Sequence, residues 1–166
     1  GAGDSAILWT LPTFVEGLSV RVSHSAETNV DDNEEAEGWA VKYSGGMFAI
    51  GFGAQDNADG TSHNLVNGSV TPMGGLTLAA EIFTDTATTG VDTDTTNYGV
   101  KYVTGPLTLG YETSETKASN AAATNDEKVM SVAYAVGGGL VVGVNTYDDD
   151  LTTDSEKTAV YAAYSF

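Results

Sequence analysis

Five charged residues stand as the polar members of alternating apolar–polar runs: Arg21, Lys42, Glu81, Lys101 and Glu112. In an extended chain successive side chains point to opposite faces, so each of the five lies on the face opposite its apolar neighbours. Opposed cations and anions around an aqueous passage would orient water and sort solutes by charge and size. On a wide wall the same groups would simply be solvated. The acids suggest a second chemistry. Asp148, Asp149 and Asp150 are consecutive, and Asp56 with Asp59 and Asp92 with Asp94 are closely spaced. Such clusters offer the hard oxygen ligands that suit Ca2+, although none has the spacing of an EF-hand loop. Apart from that cation, no motif calls for a cofactor. Catalysis has little to work with. His24 and His63 are the only histidines and fall at the ends of runs, where no spacing assembles a nucleophile, base and orienting acid. No glycine fingerprint precedes a helical pattern either, so the chain is not expected to be an enzyme.

The composition narrows the class. Only 17% of the 166 residues are charged, and the deficit is filled by small and β-branched residues, including 20 Gly. Eight Tyr, five Phe and two Trp supply enough apolar surface to order the chain, which a disordered composition lacks. The mixture suits pleated strands rather than helices. A net charge of −17 with six Lys and Arg argues against nucleic acid, because phosphate contacts need many cations. The absence of Cys excludes a disulfide framework and thiolate metal sites. No apolar run reaches the roughly 20 residues of a membrane helix, but membrane-crossing strands conceal their hydrophobicity in alternation.

Period-two alternation recurs along the whole chain. Leu18, Val20 and Val22 oppose Ser19, Arg21 and Ser23; Trp39, Val41 and Tyr43 oppose Ala40 and Lys42. Leu76, Leu78, Ala80 and Ile82 oppose Thr77, Ala79 and Glu81; Val160, Ala162, Tyr164 and Phe166 oppose Ala159, Tyr161, Ala163 and Ser165. With weaker runs at 5–13 and 62–71, about eleven strands are predicted in one domain spanning 1–166. At roughly 8–11 residues each they are long enough to cross a bilayer at a tilt. The connections alternate in kind. Tight ones rich in Gly and Pro fall at 14–17, 44–46, 72–75, 104–106 and 136–139; long acidic ones fall at 27–37, 56–61, 84–96, 113–126 and 148–156. Short turns on one rim and long loops on the other is the layout of an up-and-down transmembrane β-barrel. Of the 23 Asp and Glu, Asp4, Glu16 and Glu81 lie clearly outside the long loops and their margins, so the charge belongs mainly to one rim. Trp39, Tyr43, Phe48, Phe52, Tyr98, Tyr102, Tyr111, Tyr134, Tyr164 and Phe166 fall on the outward face, where aromatic girdles are expected.

Two local patterns carry a resemblance. Trp9, Pro12, Phe14 and Gly17, followed by an alternating strand, resemble the strand–turn–strand after the inward-folded loop of general Gram-negative outer-membrane porins. Tyr164, Ser165 and Phe166 resemble the aromatic-ended terminal strand of that family, although Tyr161 stands where a Gly is common. The resemblance implies an outer-membrane location, a homotrimer, and a channel for passive diffusion of small hydrophilic solutes and ions. Arg21, Lys42, Glu81, Lys101 and Glu112 would then line the pore. It also implies contact with outer-membrane lipid and lipopolysaccharide, the latter bridged to the acidic rim by divalent ions, and recognition of the last strand by the barrel-assembly machinery. A non-channel barrel serving as an anchor or adhesion module is the alternative. Bacterial barrels have even strand counts, whereas eleven is odd and starts the first strand on the long-loop rim. Either one weak strand is miscounted or strands preceding these are missing; the resemblance implies the latter, making these the sixth to sixteenth strands of a sixteen-stranded barrel, with the constriction loop lying before them.

Overall fold

The computed structural model describes residues 5–26, 35–121, 124–149 and 155–165. The described chain forms one antiparallel sheet in which every strand pairs with its sequence neighbour, from first to last. The strands are β1 (Ser5–Thr10), β2 (Leu18–Ala26), β3 (Ala36–Gly45), β4 (Phe48–Asn57), β5 (Ser62–Met73), β6 (Leu76–Thr86), β7 (Asp92–Thr104), β8 (Leu107–Ala118), β9 (Asn125–Gly137), β10 (Leu140–Asp149) and β11 (Ser155–Tyr164). The sheet is not closed within this chain: β1 and β11 are its two edges. Eleven up-and-down strands match the sequence reading. No helix among the described residues is long and apolar enough to cross a membrane, which says nothing about strands.

The long connections are shorter than expected. Segments 84–96 and 113–126 read as loops because they are polar, yet β6 runs on to Thr86, β7 starts at Asp92, β8 reaches Ala118 and β9 starts at Asn125. Threonine explains part of this extension. Its branched Cβ favours extended backbone, and its hydroxyl satisfies carboxylates across the strand pair. Thr84 Oγ1 donates to Asp94 Oδ1 at 2.7 Å and Thr86 Oγ1 to Asp92 Oδ1 at 2.8 Å. Many of the acids assigned to loops therefore sit on strand ends that project beyond the apolar band. β1 is the opposite case, ending at Thr10 rather than 13.

At the other rim the turns are two residues long at 46–47, 74–75, 105–106 and 138–139. Gly75 has φ +81°, and a Cβ there would collide with the carbonyl oxygen of Val103; that oxygen's own residue donates its N–H to Gly75 O at 2.8 Å. Gly17 repeats the arrangement against Ser44, again with φ +81° and a 2.8 Å bond. These glycines let a turn lie against the end of the next strand, where any side chain would be excluded. Pro72, which has no N–H to give a ladder, falls in the irregularity between Val70 and Met73.

The sheet has an apolar face and a polar face but no core: no hydrophobic residue among those described is buried. Cross-strand register puts Trp39, Phe52, Val66, Ile82, Tyr98, Val100, Tyr111 and Val132 on one face, each between 42% and 56% exposed. At on the order of 1 kcal/mol for each half-exposed large side chain, a face of this size left in water would forgo stabilisation comparable to the whole roughly 5–15 kcal/mol of a folded domain. An apolar medium against that face resolves the deficit. Phe166 lies outside the described residues.

Candidate functional site

The polar face is built from register. Partners Ser19, Lys42, Gly51, Asn67, Glu81, Asn97, Ser114 and Glu127 form a continuous row from β2 to β9. Arg21 lies one step along β2 in the row Ala40, Gly53, Leu65, Phe83. Glu112 pairs with Gly99 and Lys101 with Gly110 on the same face. All five residues singled out from the sequence thus share one face of one sheet.

The structure groups them in shallow clefts. Lys42, Asn67, Glu81, Asn97 and Glu112 border a depression of about 360 Å³. Arg21 and Lys42 border one of about 440 Å³, and Lys101 and Glu112 one of about 330 Å³. Lys42 and Glu81 are three strand spacings apart, roughly 14 Å between Cα atoms, too far for an ion pair. Glu81 Oε1 instead accepts from Asn97 Nδ2 at 3.2 Å. Small residues keep the wall low between these groups: a Cβ on Gly51 would come within 2.7 Å of Asn67 Oδ1. The arrangement presents separated, solvated charges on a smooth polar surface, which suits transient solute contact rather than tight binding.

Several members of this face, Asn67, Asn97 and Lys157 among them, were not picked out in the sequence. Asn67 and Asn97 are neutral, so charge alone did not mark them. Lys157 pairs with Tyr147 and, through Val129, falls in line with Glu112. Its position in the alternation ending at Tyr161 and Ala163 could have revealed it. Lys117 and Lys128 take the other face, directly opposite Asp94 and Asp148.

Toward the rim of longer connections, His63 Nδ1 lies 3.2 Å from Asp85 Oδ1, and its ring stacks on Phe83 with centroids 5.8 Å apart. On the opposite face His24 Nδ1 is 3.5 Å from Glu37 Oε1. With Glu35 these form the group of potential metal ligands among the described residues, their ligand atoms within 4.8 Å of one another. Strand pairing creates that group, so spacing in the sequence could not show it. Of the acidic triplet, Asp148 and Asp149 occupy opposite faces of β10, and Asp150 lies outside the described residues. In the 58–61 turn Asp59 Oδ1 accepts from Thr61 N at 2.9 Å and Thr61 Oγ1 at 2.7 Å. The Thr61 hydroxyl and then its N–H hold the Asp59 carboxyl below the ordinary 3.8.

The family model of Gram-negative porins matches residues 1–166. No curated protein sequence matches the chain. Among solved structures, a refined porin aligns with TM-score 0.82 at 16% identity, covering 98% of this chain and 62% of its own. A triple mutant of Rh. blastica porin aligns with TM-score 0.74 at 15% identity over 97% of this chain and 55% of its own. A loop-deletion mutant of OmpT, an outer membrane protein of Vibrio cholerae, aligns with TM-score 0.66 at 16% identity, covering 96% and 62%. The chain therefore spans under two thirds of the length of these relatives.

Proposed function

Because the chain belongs to the Gram-negative porin family, an outer-membrane β-barrel family, we propose that its polar face lines a water-filled channel. Small hydrophilic solutes and ions would cross it by passive diffusion. The observation that carries this reading is the division of the sheet: an exposed aromatic and aliphatic face behind, and a face of Ser, Thr, Asn, Gly and separated charges in front. A barrel acting only as an anchor would have no need of a low polar wall. In this reading Arg21 and Lys42 form a cationic sector on β2 and β3. Glu81 and Glu112 form an acidic sector on β6 and β8, with Lys101 beside the latter. Solutes crossing between the sectors would experience a lateral field that favours dipolar, well-hydrated molecules.

The edges β1 and β11 need partners, and the remaining strands of a sixteen-stranded barrel would supply them. A homotrimer, with part of the apolar face packed between subunits and the rest against lipid, completes the assembly. Lipopolysaccharide at the acidic rim, Ca2+ held there, and recognition of the last strand by the barrel-assembly machinery belong to the same reading. No catalytic step belongs to this reading.

The test is planar-bilayer recording from the intact protein. Stepwise ohmic conductance in potassium chloride is expected, with Glu81→Gln plus Glu112→Gln moving the reversal potential toward anion preference. A protein that inserts and folds yet gives no conductance steps would overturn the channel and favour the anchor.

A further inference from the structure

On the polar face one cleft sets large apolar side chains near a cation. Leu65 on β5 and Phe83 on β6 are register partners, and Leu8, 65% exposed, projects from β1 on the same side. Together with Arg21, Ala40 and Gly53 they border a cleft of about 270 Å³. Arg21, Ala40, Gly53, Leu65 and Phe83 are consecutive in one cross-strand row. The guanidinium and the apolar pair are thus separated by two strands carrying only a methyl group and a hydrogen. At about 4.8 Å per strand, that floor is roughly 10 Å wide.

We propose that this cleft is a binding subsite for small amphipathic anions, an aromatic ring bearing a carboxylate on a short tail. The inference rests on the polar face lining a channel. Arg21 makes no ion pair or hydrogen bond among the described residues, although the chain is strongly acidic. A guanidinium with no such partner among the described residues presents a planar donor fork matched to a carboxylate. The ring would lie flat over Ala40 and Gly53 and meet Leu65 and Phe83 at its far side. Phe83 stacks on His63, which borders the same cleft, so the apolar wall is already in place. Asp85 faces His63 rather than Arg21, and no carboxylate among the described residues pairs with the cationic end. An anion without a ring would gain only the guanidinium, and a neutral aromatic only the wall. A solute carrying both would be held longer than either as it crosses.

The experiment is single-channel recording of the intact protein with 3-phenylpropionate, propionate or 3-phenylpropanol added as blockers. 3-Phenylpropionate is expected to reduce the current saturably, at a half-blocking concentration about tenfold below that of either control. Arg21→Gln is expected to erase its advantage over 3-phenylpropanol, and Phe83→Ala its advantage over propionate. Equal block by the three compounds in the unaltered protein overturns the subsite even if neither variant inserts. Variants that insert and keep both advantages overturn its placement here. Absence of any conductance refutes the channel instead, a result distinct from open channels that 3-phenylpropionate leaves unblocked.

Discussion

Adjacent residues on β7 should respond oppositely to the same charge. Val100 and Gly99 are successive and face opposite sides, Val100 in register with Leu78 and Tyr111, Gly99 with Ala79 and Glu112. The outward apolar run on β6 extends from Leu76 to Ile82, about 20 Å along the strand at 3.4 Å per residue. A tilt near 40° reduces this to about 16 Å of membrane depth. Val100, opposite Leu78, then lies within a few ångströms of the middle of the band, between Tyr98 and Tyr102. An arginine at the midplane of the lipid face costs about 2–4 kcal/mol. Val100→Arg should therefore lower the folding equilibrium constant in bilayers by roughly 30- to 800-fold. A Cβ at Gly99 meets no atom within 4 Å, and Gly99→Arg would place its charge in water, so its cost should stay within about 1 kcal/mol. Reversible urea unfolding in lipid vesicles, followed by tryptophan fluorescence, measures both. Equal costs, or a larger cost for Gly99→Arg, would refute the assignment of the two faces.

Gly75→Ala should destabilise by about 1–3 kcal/mol, combining positive φ with the collision at Val103 O, whereas Gly74→Ala, with open space around its Cβ, should change the urea midpoint little. Asp59 should titrate below 3.8 by carboxyl-carbon NMR, and Thr61→Val should return it toward that value. The sign follows from the depressed folded pKa: the turn's contribution is present above the unfolded value and lost as pH falls through the folded one. A midpoint unchanged by Thr61→Val would show that the hydroxyl is not the cause.

Strand number, order and facing were legible because alternation is a local property. Lys42 is opposite in direction to Trp39, Val41 and Tyr43 whatever else the chain does. The limits of β6, β7 and β8 were not legible, since Thr84, Thr86, Asp92 and Asp94 look like loop residues until the threonine hydroxyls are seen to satisfy the facing carboxylates. Alternation also hid the contrast within the polar face. Leu65 and Phe83 each read as one apolar residue out of phase. Only the register shows that they adjoin, and that Ala40 and Gly53 separate them from Arg21. The same holds for His24 with Glu37, joined across a loop whose middle lies outside the described residues.

Register also resolves what the net charge obscured. On the strands the polar face carries Arg21, Lys42, Lys101 and Lys157 against Glu81, Asp85, Glu112, Glu127 and Asp149, four cations to five anions and nearly balanced. The opposite face carries Glu37, Asp56, Asp92, Asp94, Glu115, Asp126, Asp148 and Glu156 against Lys117 and Lys128, and these crowd the strand ends beyond the apolar band. An acidic protein therefore has a wall with little net charge of its own. Attraction or repulsion of ions would arise mainly at the mouth, where carboxylates concentrate and where salt screens within about 10 Å at 0.1 M. Discrimination by the wall would then depend on local pairs and on the cleft beside Arg21 rather than on total charge. Ion preference should accordingly weaken as salt rises, whereas retention of an amphipathic anion, which also draws on apolar contact, should persist.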